Sequence, residues 1–173
     1  GAGKMTYQAP YVSNTLPLAV LRELKITPDF TPERRRAMTD VHIETHSKTV
    51  LQMSRRFWEA DNLSGWGRSD WPSEIWHQTH NQRGSQRGLL HVYLKKRASL
   101  EVSALTPELR IRHMLQHVDR MFPGARLHFE GGVSQAWPED RWARGAYCHP
   151  KPGQKIRCLP QFVPPIGRMH FAG

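Results

Sequence analysis

A lysine and a group of aromatic side chains are the residues of this sequence whose types and spacing best suit chemistry. Lys48 lies near the start of an apolar stretch, HSKTVLQM, where a lysine can point inward. The segment WPEDRWARGAY, from Trp137 to Tyr147, has three aromatic residues five positions apart, and such rings can stack on a flat ligand. Gly145 and Ala146 are small enough to let the backbone approach that ligand. The alternatives are an exposed lysine on the polar face of a strand and an aromatic loop that only packs.

Ten histidines invite a metal-site interpretation, which their spacing does not support. His113 and His117 would share one face of a helix, but no glutamate completes an H-E-x-x-H motif. The segment that holds His42 and His46 alternates like a strand instead. The sequence GAGK near the start lacks the spacing of a phosphate-binding loop, and no G-x-G-x-x-G is present. We therefore predict no metal site.

Two helices are predicted to begin with the same Thr–Pro–Glu signal, in which threonine caps the helix and proline takes its first position. Thr106 begins the clearer one, TPELRIRHMLQHVDRMFPG, whose apolar residues follow the spacing of a helix with one buried face. Thr31 begins the other, TPERRRAM, and we interpret its arginines, Arg34 to Arg36, as a solvated face. The stretch TLPLAVLREL predicts one or two further helical turns.

Alternating and apolar stretches predict several strands. Residues 41–58 alternate and predict two strands, or one long bent strand, through Lys48. The stretches SEIWHQTH and GLLHVYL predict a hairpin or meander, VSQAW predicts a strand at Val133 to Trp137, and Arg168 to Ala172 predicts a short one. Because the strands come in runs with helices inserted, the order indicates a mixed α+β fold rather than a regular βαβ array.

Composition limits the classes of partner. The 173 residues suit one domain or parts of two, and the formal net charge of +10 can attract phosphate backbones, acidic lipid or anionic small molecules. Cys148 and Cys158 could form a disulfide or remain free thiols. No apolar run of about 18 residues is present, so we expect no membrane span.

Four separated pieces of the sequence occur in the order of one known family. TLPLAVLRELKITPDFTPERRRAM, HSKTVLQMSRRFWE, WPEDRWARGAY and GRMHFAG resemble the C-terminal half of flavin-dependent amine oxidases. The family includes monoamine, polyamine and L-amino-acid oxidases, and GLLHVYL resembles the amino-acid oxidases in particular. The resemblance spans nearly the whole chain and implies an FAD cofactor, with O2 as the electron acceptor and hydrogen peroxide as a product.

The resemblance also implies roles for single residues. Lys48 matches the family lysine that holds a water against the flavin N5 atom, and Trp137 matches the tryptophan beside the isoalloxazine ring. Tyr147 matches a wall of the substrate cage. Tyr93 matches the tyrosine that binds the substrate carboxylate in amino-acid oxidases, and Trp76 matches a pocket residue on the neighbouring strand.

Further matches concern the cofactor. Gly145, Ala146, Tyr147 and Gly173 match cofactor-binding positions, and the segment from Thr15 to Pro17 matches one near the cofactor's diphosphate. The resemblance implies that residues 1–30 and 136–173 belong to an FAD-binding domain, truncated before its final flavin-binding helix. Residues 31–135 are implied to form most of a mixed-sheet substrate-binding domain.

The resemblance further implies that the chain is a fragment of a larger enzyme. It resembles a C-terminal chain of a processed L-glutamate oxidase, whose several chains come from one precursor. We therefore expect other chains of that precursor as partners, carrying the dinucleotide-binding unit, in a hetero-oligomer with dimeric symmetry. We expect no nucleic-acid or membrane partner and a secreted enzyme.

Two other functions remain open from the sequence. The first is another flavin amine oxidase, acting on polyamines or aromatic amines, which would not need a tyrosine for a carboxylate. The second belongs to a different class, a basic module that binds nucleic acid, and it predicts binding that weakens steeply with salt.

Overall fold

The computed structural model describes residues 5–71 and 74–172, and these fall into two units. The segment Glu44–Tyr147 forms the first, which we call the sheet unit. The described residues up to Ile43 combine with those from Cys148 onward to form the second, which we call the split unit. The assignment of residues 1–30, 31–135 and 136–173 to FAD-binding and substrate-binding domains stays a prediction.

The split unit pairs two short strands from distant parts of the sequence. Strand β1 (Val12–Asn14) runs parallel to β7 (Met169–Phe171), which confirms the short strand predicted at the end of the chain. Three helices complete it: α1 (Leu18–Leu21), α2 (Pro32–Asp40) and α6 (Gln154–Cys158). Cys148 and Cys158 are both free thiols.

The predicted helix at Thr31 is confirmed, because the Thr31 hydroxyl accepts a hydrogen bond from the Arg34 backbone N–H at 3.2 Å. The interpretation of its arginines as a solvated face was wrong for Arg34, which is 5% exposed. Its guanidinium donates hydrogen bonds to the backbone carbonyls of Gln161 and Pro164. These two acceptors compensate for the burial of its charge. Helix α1 is one turn long, at the lower limit of the prediction.

An antiparallel five-stranded sheet dominates the sheet unit. Its strands, in spatial order, are β3 (Gly67–Arg68), β4 (Glu74–His77), β5 (Gly88–Lys95), β2 (His46–Met53) and β6 (Phe129–Ala136). Its helices are α3 (Lys96–Ser103), α4 (Pro107–Met121) and α5 (Ala125–His128). Together the two units have the mixed α+β fold that the sequence predicts.

Alternation along the strands gives this sheet two unlike faces, because successive side chains of a strand point to opposite sides. One face packs on the helices and includes Leu51, Leu90 and Val92, which are fully buried together with Met114 and Val118 of α4. We call the other the open face. It carries the side chains of His46, Lys48, Glu74, Trp76, His91, Tyr93 and Lys95.

Some boundaries differ from the sequence prediction. One strand begins at His46, and residues 41–45 contribute an isolated bridge between Ile43 and Cys148 rather than a strand of their own. Strand β6 begins at Phe129, four residues before the predicted start at Val133. Helix α4 matches its prediction, and the Thr106 hydroxyl accepts from the Leu109 N–H at 3.4 Å. Helix α3 was not predicted.

Candidate active site

Lys48 and Tyr93 lie side by side on the two central strands. They are directly opposite partners in the β2–β5 register, and the Lys48 ammonium is 5.5 Å from the centre of the Tyr93 ring. Lys48 is half-buried. Within the described residues no carboxylate pairs with Lys48. The two residues that the sequence singled out for the flavin side and for the substrate carboxylate therefore share one surface.

Tyr93 lies at the centre of a cluster of aromatic rings, which we call the box and which also contains His46 and Trp76. His46 stacks on Tyr93 with ring centres 5.1 Å apart and planes 16° from parallel, and Trp76 lies 5.1 Å away, tilted by 37°. Burial, with smaller contributions from Tyr147 and Glu74, raises the pKa of Tyr93 to about 12. The phenol is therefore neutral at physiological pH and can donate its O–H to an anion.

Glu74 accepts hydrogen bonds from two side chains at this site, Lys95 and Trp76. Its carboxylate accepts a hydrogen bond from the Lys95 ammonium at 2.6 Å and one from the Trp76 indole N–H at 3.1 Å. The Lys95 ammonium lies 4.9 Å from the centre of the Tyr93 ring. The hydrogen bond from Lys95 keeps the pKa of Glu74 below its usual range, so Glu74 stays ionised.

His91 lies beside Trp76 and Tyr93 on the open face. It is 7% exposed and meets Trp76 edge to face, with ring centres 5.0 Å apart. Burial, and then the charge of Lys48, lowers the pKa of His91 to about 4, so the imidazole is neutral near pH 7. Its Nε2 atom is buried and has no hydrogen-bond partner among the residues that the structure describes.

Hydrogen bonds within the aromatic loop from Trp137 to Tyr147 fix its conformation. The Trp137 carbonyl accepts from the Gly145 N–H at 2.9 Å, and the Asp140 carboxylate accepts from the Trp142 N–H at 2.8 Å. Gly145 has φ 138°, which favours glycine, and Tyr147 has φ 64°. A non-glycine residue at such an angle is uncommon and requires support from its surroundings.

That support comes from the residue that leads into β2. The Glu44 N–H donates to the Tyr147 carbonyl at 3.0 Å, and the Ala146 N–H donates to the Glu44 carbonyl at 3.0 Å. The Tyr147 ring meets His46 edge to face at 5.1 Å, yet 62% of Tyr147 remains exposed. The loop therefore places an exposed aromatic ring at the edge of the open face.

The structure thus brings together four of the predicted site residues: Lys48, Tyr93 and Trp76 in direct contact, and Tyr147 through His46. Trp137 is half-buried, and its carbonyl accepts the hydrogen bond from Gly145 in the loop that ends at Tyr147. Gly145 and Ala146 belong to the same loop. Gly173 lies outside the described residues. The segment from Thr15 to Pro17 belongs to the split unit.

Sequence reasoning missed His46, Glu74, His91 and Lys95. A signal was available, because a strand places every second residue on one face. His46 precedes Lys48 by two positions, and His91 and Lys95 lie two positions on either side of Tyr93. Extending the period from the two known residues would have found three of the four, whereas Glu74 required the β4–β5 register.

The described residues contain neither a metal-binding cluster nor a helix that could span a membrane. No group of three or more His, Cys, Asp or Glu residues within 5–71 and 74–172 is arranged to hold a metal ion. Among the same residues, no helix is both long and apolar enough to cross a membrane.

The open face fits a flat aromatic cofactor by its donors and its walls. The Lys48 ammonium can donate a hydrogen bond to an acceptor, and the exposed Tyr147 ring can stack on a planar ring. These residues would hold the ring of a flavin, and that cofactor, when bound, accepts a hydride from a substrate carbon.

Comparison with known proteins gives this face its context. A model of flavin containing amine oxidoreductases matches residues 3–173. The flavin-dependent L-tryptophan oxidase RebO of Lentzea aerocolonigenes is 30% identical over 185 residues, which cover 100% of this chain and 38% of RebO. The L-amino-acid oxidase of Mus musculus is 27% identical and that of Naja atra 24%, covering 97% and 98% of this chain and 27% and 36% of those proteins.

Solved structures show the same fold. Cyclohexylamine oxidase from Brevibacterium oxydans superposes with a TM-score of 0.84 at 17% identity over 99% of this chain and 38% of its own. A putrescine oxidase bound to putrescine gives 0.80 at 22% identity over 95% and 37%. The chain therefore spans just over a third of the length of most of these proteins. Since the family model matches nearly every residue, the chain belongs to the flavin containing amine oxidoreductases, and its family implies a flavin cofactor.

Proposed function

We propose that this chain supplies the substrate-facing sheet of an FAD-dependent L-amino-acid oxidase. Such an enzyme converts an L-amino acid, O2 and water into a 2-oxo acid, ammonia and hydrogen peroxide. The observation that carries the proposal is the environment of Tyr93, a neutral phenol whose ring centre lies 5.5 Å from the Lys48 ammonium and 4.9 Å from the Lys95 ammonium. A phenol donor among cations suits a carboxylate, which every amino acid has and a simple amine lacks.

The residues of the proposed site have separate roles in this reaction. The Tyr93 hydroxyl donates to the substrate α-carboxylate and fixes the orientation of Cα. The rings of Trp76 and Tyr147 flank the substrate and exclude water from the site, and positioning of this kind can lower a barrier by several kcal/mol. The Lys48 side chain holds a water molecule, the reactant for hydrolysis of the imine product. Trp137, Gly145 and Ala146 line the cofactor ring.

The charge of the open face argues against the alternative of a polyamine or aromatic amine oxidase. Lys48, Lys95 and Arg68 are cationic side chains of this face, and the Glu74 carboxylate lies within 4 Å of Lys95 and Arg68. A cationic polyamine would meet like charge, which disfavours its binding. The similar amine oxidase structures share the fold at less than 25% identity, and they do not argue for an amine substrate.

The finer details of the proposal rest on the resemblance. We propose L-glutamate as the first substrate to test, FAD as the flavin, and other chains of a processed precursor as partners in a secreted hetero-oligomer. Gly173 and the segment from Thr15 to Pro17 are proposed to contact the cofactor. We propose no nucleic-acid partner and no membrane partner.

The test is a substrate panel on the native enzyme, with hydrogen peroxide measured for L-amino acids and for amines such as putrescine and benzylamine. L-Amino acids should be oxidised and the amines should not. In a Tyr93→Phe variant, KM for the amino acid should rise about 10-fold while kcat changes little, because a hydrogen bond to a charged group is lost. Turnover of amines without turnover of any amino acid would refute the proposal.

A further inference from the structure

Lys95 is a cation of the open face that the reaction described above does not use. It follows Tyr93 by two positions on β5, so both side chains leave the strand on the same side. Its ammonium lies 4.9 Å from the centre of the Tyr93 ring, and its side chain is 33% exposed. It is therefore close to the proposed carboxylate donor and still accessible.

The ion pair with Glu74 fixes the position of Lys95 but uses only one of the hydrogen-bond donors of its ammonium. A lysine ammonium has three N–H donors, and Glu74 takes one of them at 2.6 Å. Glu74 is in turn shared, since the Trp76 indole also donates to it and Arg68 lies 3.7 Å away. Among the described residues Lys95 donates to no other acceptor, so two of its donors remain for a ligand, and Glu74 is compensated by groups other than Lys95.

The charge around Tyr93 exceeds what one carboxylate of a substrate needs. Among the described residues, the cations Lys48, Lys95 and Arg68 contact Tyr93 or Glu74, and these three cations together with the Glu74 carboxylate carry a net charge of +2. His91 adds no charge near pH 7, because its pKa is about 4. An amino acid that reacts with a neutral amine carries one negative charge, or two when its side chain is acidic.

The spacing also fits. In an extended five-carbon amino acid the two carboxylate carbons are about 5 Å apart, as four carbon–carbon bonds of about 1.5 Å allow. The Lys95 ammonium lies 4.9 Å from the centre of the Tyr93 ring, and the hydroxyl lies about 3 Å from that centre, so the two donors are at most about 8 Å apart, a span that such a substrate and its two hydrogen bonds can cover. A substrate held at its α-carboxylate by Tyr93 can therefore reach Lys95 with a carboxylate on its side chain.

We propose that Lys95 is a specificity-determining residue, held in place by Glu74, that binds the side-chain carboxylate of an acidic L-amino acid. This inference rests on the proposed function. It assigns the preference to one ammonium group, which makes it separable from the oxidase activity itself.

The experiment compares two unreactive acids of five carbons, glutarate with two carboxylates and pentanoate with one, by calorimetric titration of the flavin-loaded enzyme. The wild type should bind glutarate more tightly. Lys95→Met should weaken glutarate about 10-fold or more and pentanoate less than about 3-fold, since one charge-assisted hydrogen bond is removed. Lys95→Arg should keep the preference, and Lys96→Met, which changes an exposed neighbour, should leave both affinities unchanged.

Each outcome decides the question. A wild type without preference for glutarate, or a Lys95→Met variant that loses both acids equally or neither, overturns the inference. Oxidation of L-glutamate and L-leucine is measured in parallel by peroxide formation. If no amino acid is oxidised, the proposed function fails, while the titrations still decide whether Lys95 selects a second carboxylate.

Discussion

Single residues of the open face differ in how far the sequence could identify them. Lys48 stands out because a lysine is unusual in an apolar stretch, and Tyr93 was found through resemblance to the amino-acid oxidases. Glu74 and Lys95 look like ordinary polar residues of alternating strands. Their importance depends on a contact at 2.6 Å across two strands, and the sequence does not contain the register that creates this contact.

Replacement of Lys48 by methionine tests the proposed water-holding amine. We expect Lys48→Met to retain flavin and to lower kcat about 100-fold, the scale on which a positioned proton-transfer or water-holding group contributes. Flavin absorbance and steady-state kinetics on the purified enzyme measure the two effects. Lys151→Met, at an exposed position of the split unit, is the control. Unchanged kcat in Lys48→Met would remove Lys48 from the reaction.

His91 makes stability depend on pH in a definite window. Its pKa is about 4 in the folded protein and about 6.5 in an unfolded chain, so the unfolded state binds more protons between these values. The contribution of neutral His91 to the free energy of unfolding is fully present above about pH 6.5 and is lost as pH falls toward 4. The loss is on the order of 3 kcal/mol near pH 4, since each unit by which the pKa is lowered corresponds to about 1.4 kcal/mol.

We therefore expect His91→Leu to unfold with a smaller difference in free energy between pH 7 and pH 4.5 than the wild type. Urea titrations at both pH values give this difference, and any effect of the substitution that does not depend on pH cancels. His80→Gln, at an exposed position of the same unit, should keep the wild-type difference. Equal pH dependence in His91→Leu and the wild type would show that the imidazole is not held neutral by the fold.

At the scale of elements, the sequence predicts best where a boundary has its own signal. Helix α4 begins where Thr106 and Pro107 predict it, because a cap and a proline both mark a first turn. Helix α3 was missed because β5 ends at Lys95 and α3 begins at Lys96, with no Gly, Pro or Asn between them. The change from a period of two to 3.6 residues is therefore hidden in a run of basic residues.

Two glycines of the sheet unit provide a matched test of packing between elements. A Cβ at Gly88 would lie 2.4 Å from the ring of Trp58, which is fully buried, whereas a Cβ at Gly131 would meet no atom within 4 Å. We expect Gly88→Ala to lower the free energy of unfolding by about 1–3 kcal/mol, as overpacking does. Gly131→Ala should change it by less than about 0.5 kcal/mol.

Urea titrations of the two variants at one pH measure this pair of values. Neither position has the positive φ that would strain an alanine, so the difference reports contact with Trp58 and not backbone conformation. Equal stabilities of the two variants would mean that the indole moves aside at little cost.

At the scale of the whole molecule, periodicity predicted the mixed α+β class but not the order of the strands. The sheet order β3–β4–β5–β2–β6 places a strand from residues 46–53 between two later ones, and such pairing depends on contacts far apart in sequence. The family assignment came from four short pieces that together span the chain, because each piece alone is too short to identify a family.

The length of the chain leads to a prediction about the cofactor. The sequence has no G-x-G-x-x-G, the turn that binds a dinucleotide phosphate, and it spans just over a third of most of its relatives. We expect this chain expressed alone to bind no flavin at equimolar concentration, and the native enzyme to bind it tightly. Absorbance after gel filtration measures both, and stoichiometric flavin on the isolated chain would contradict the proposed division of the site.

The hydrogen bonds between Glu44 and the Ala146–Tyr147 pair have a consequence for how such enzymes can change. They join the two ends of the sheet unit, so the chain enters and leaves this unit at adjacent points. A segment whose ends meet can be exchanged between related proteins as one cassette, since the host needs to supply only two neighbouring attachment points. Residues 44–147 include Lys48, Trp76, Tyr93, Lys95 and Tyr147, so exchange of this one segment would transfer these residues of the proposed site together.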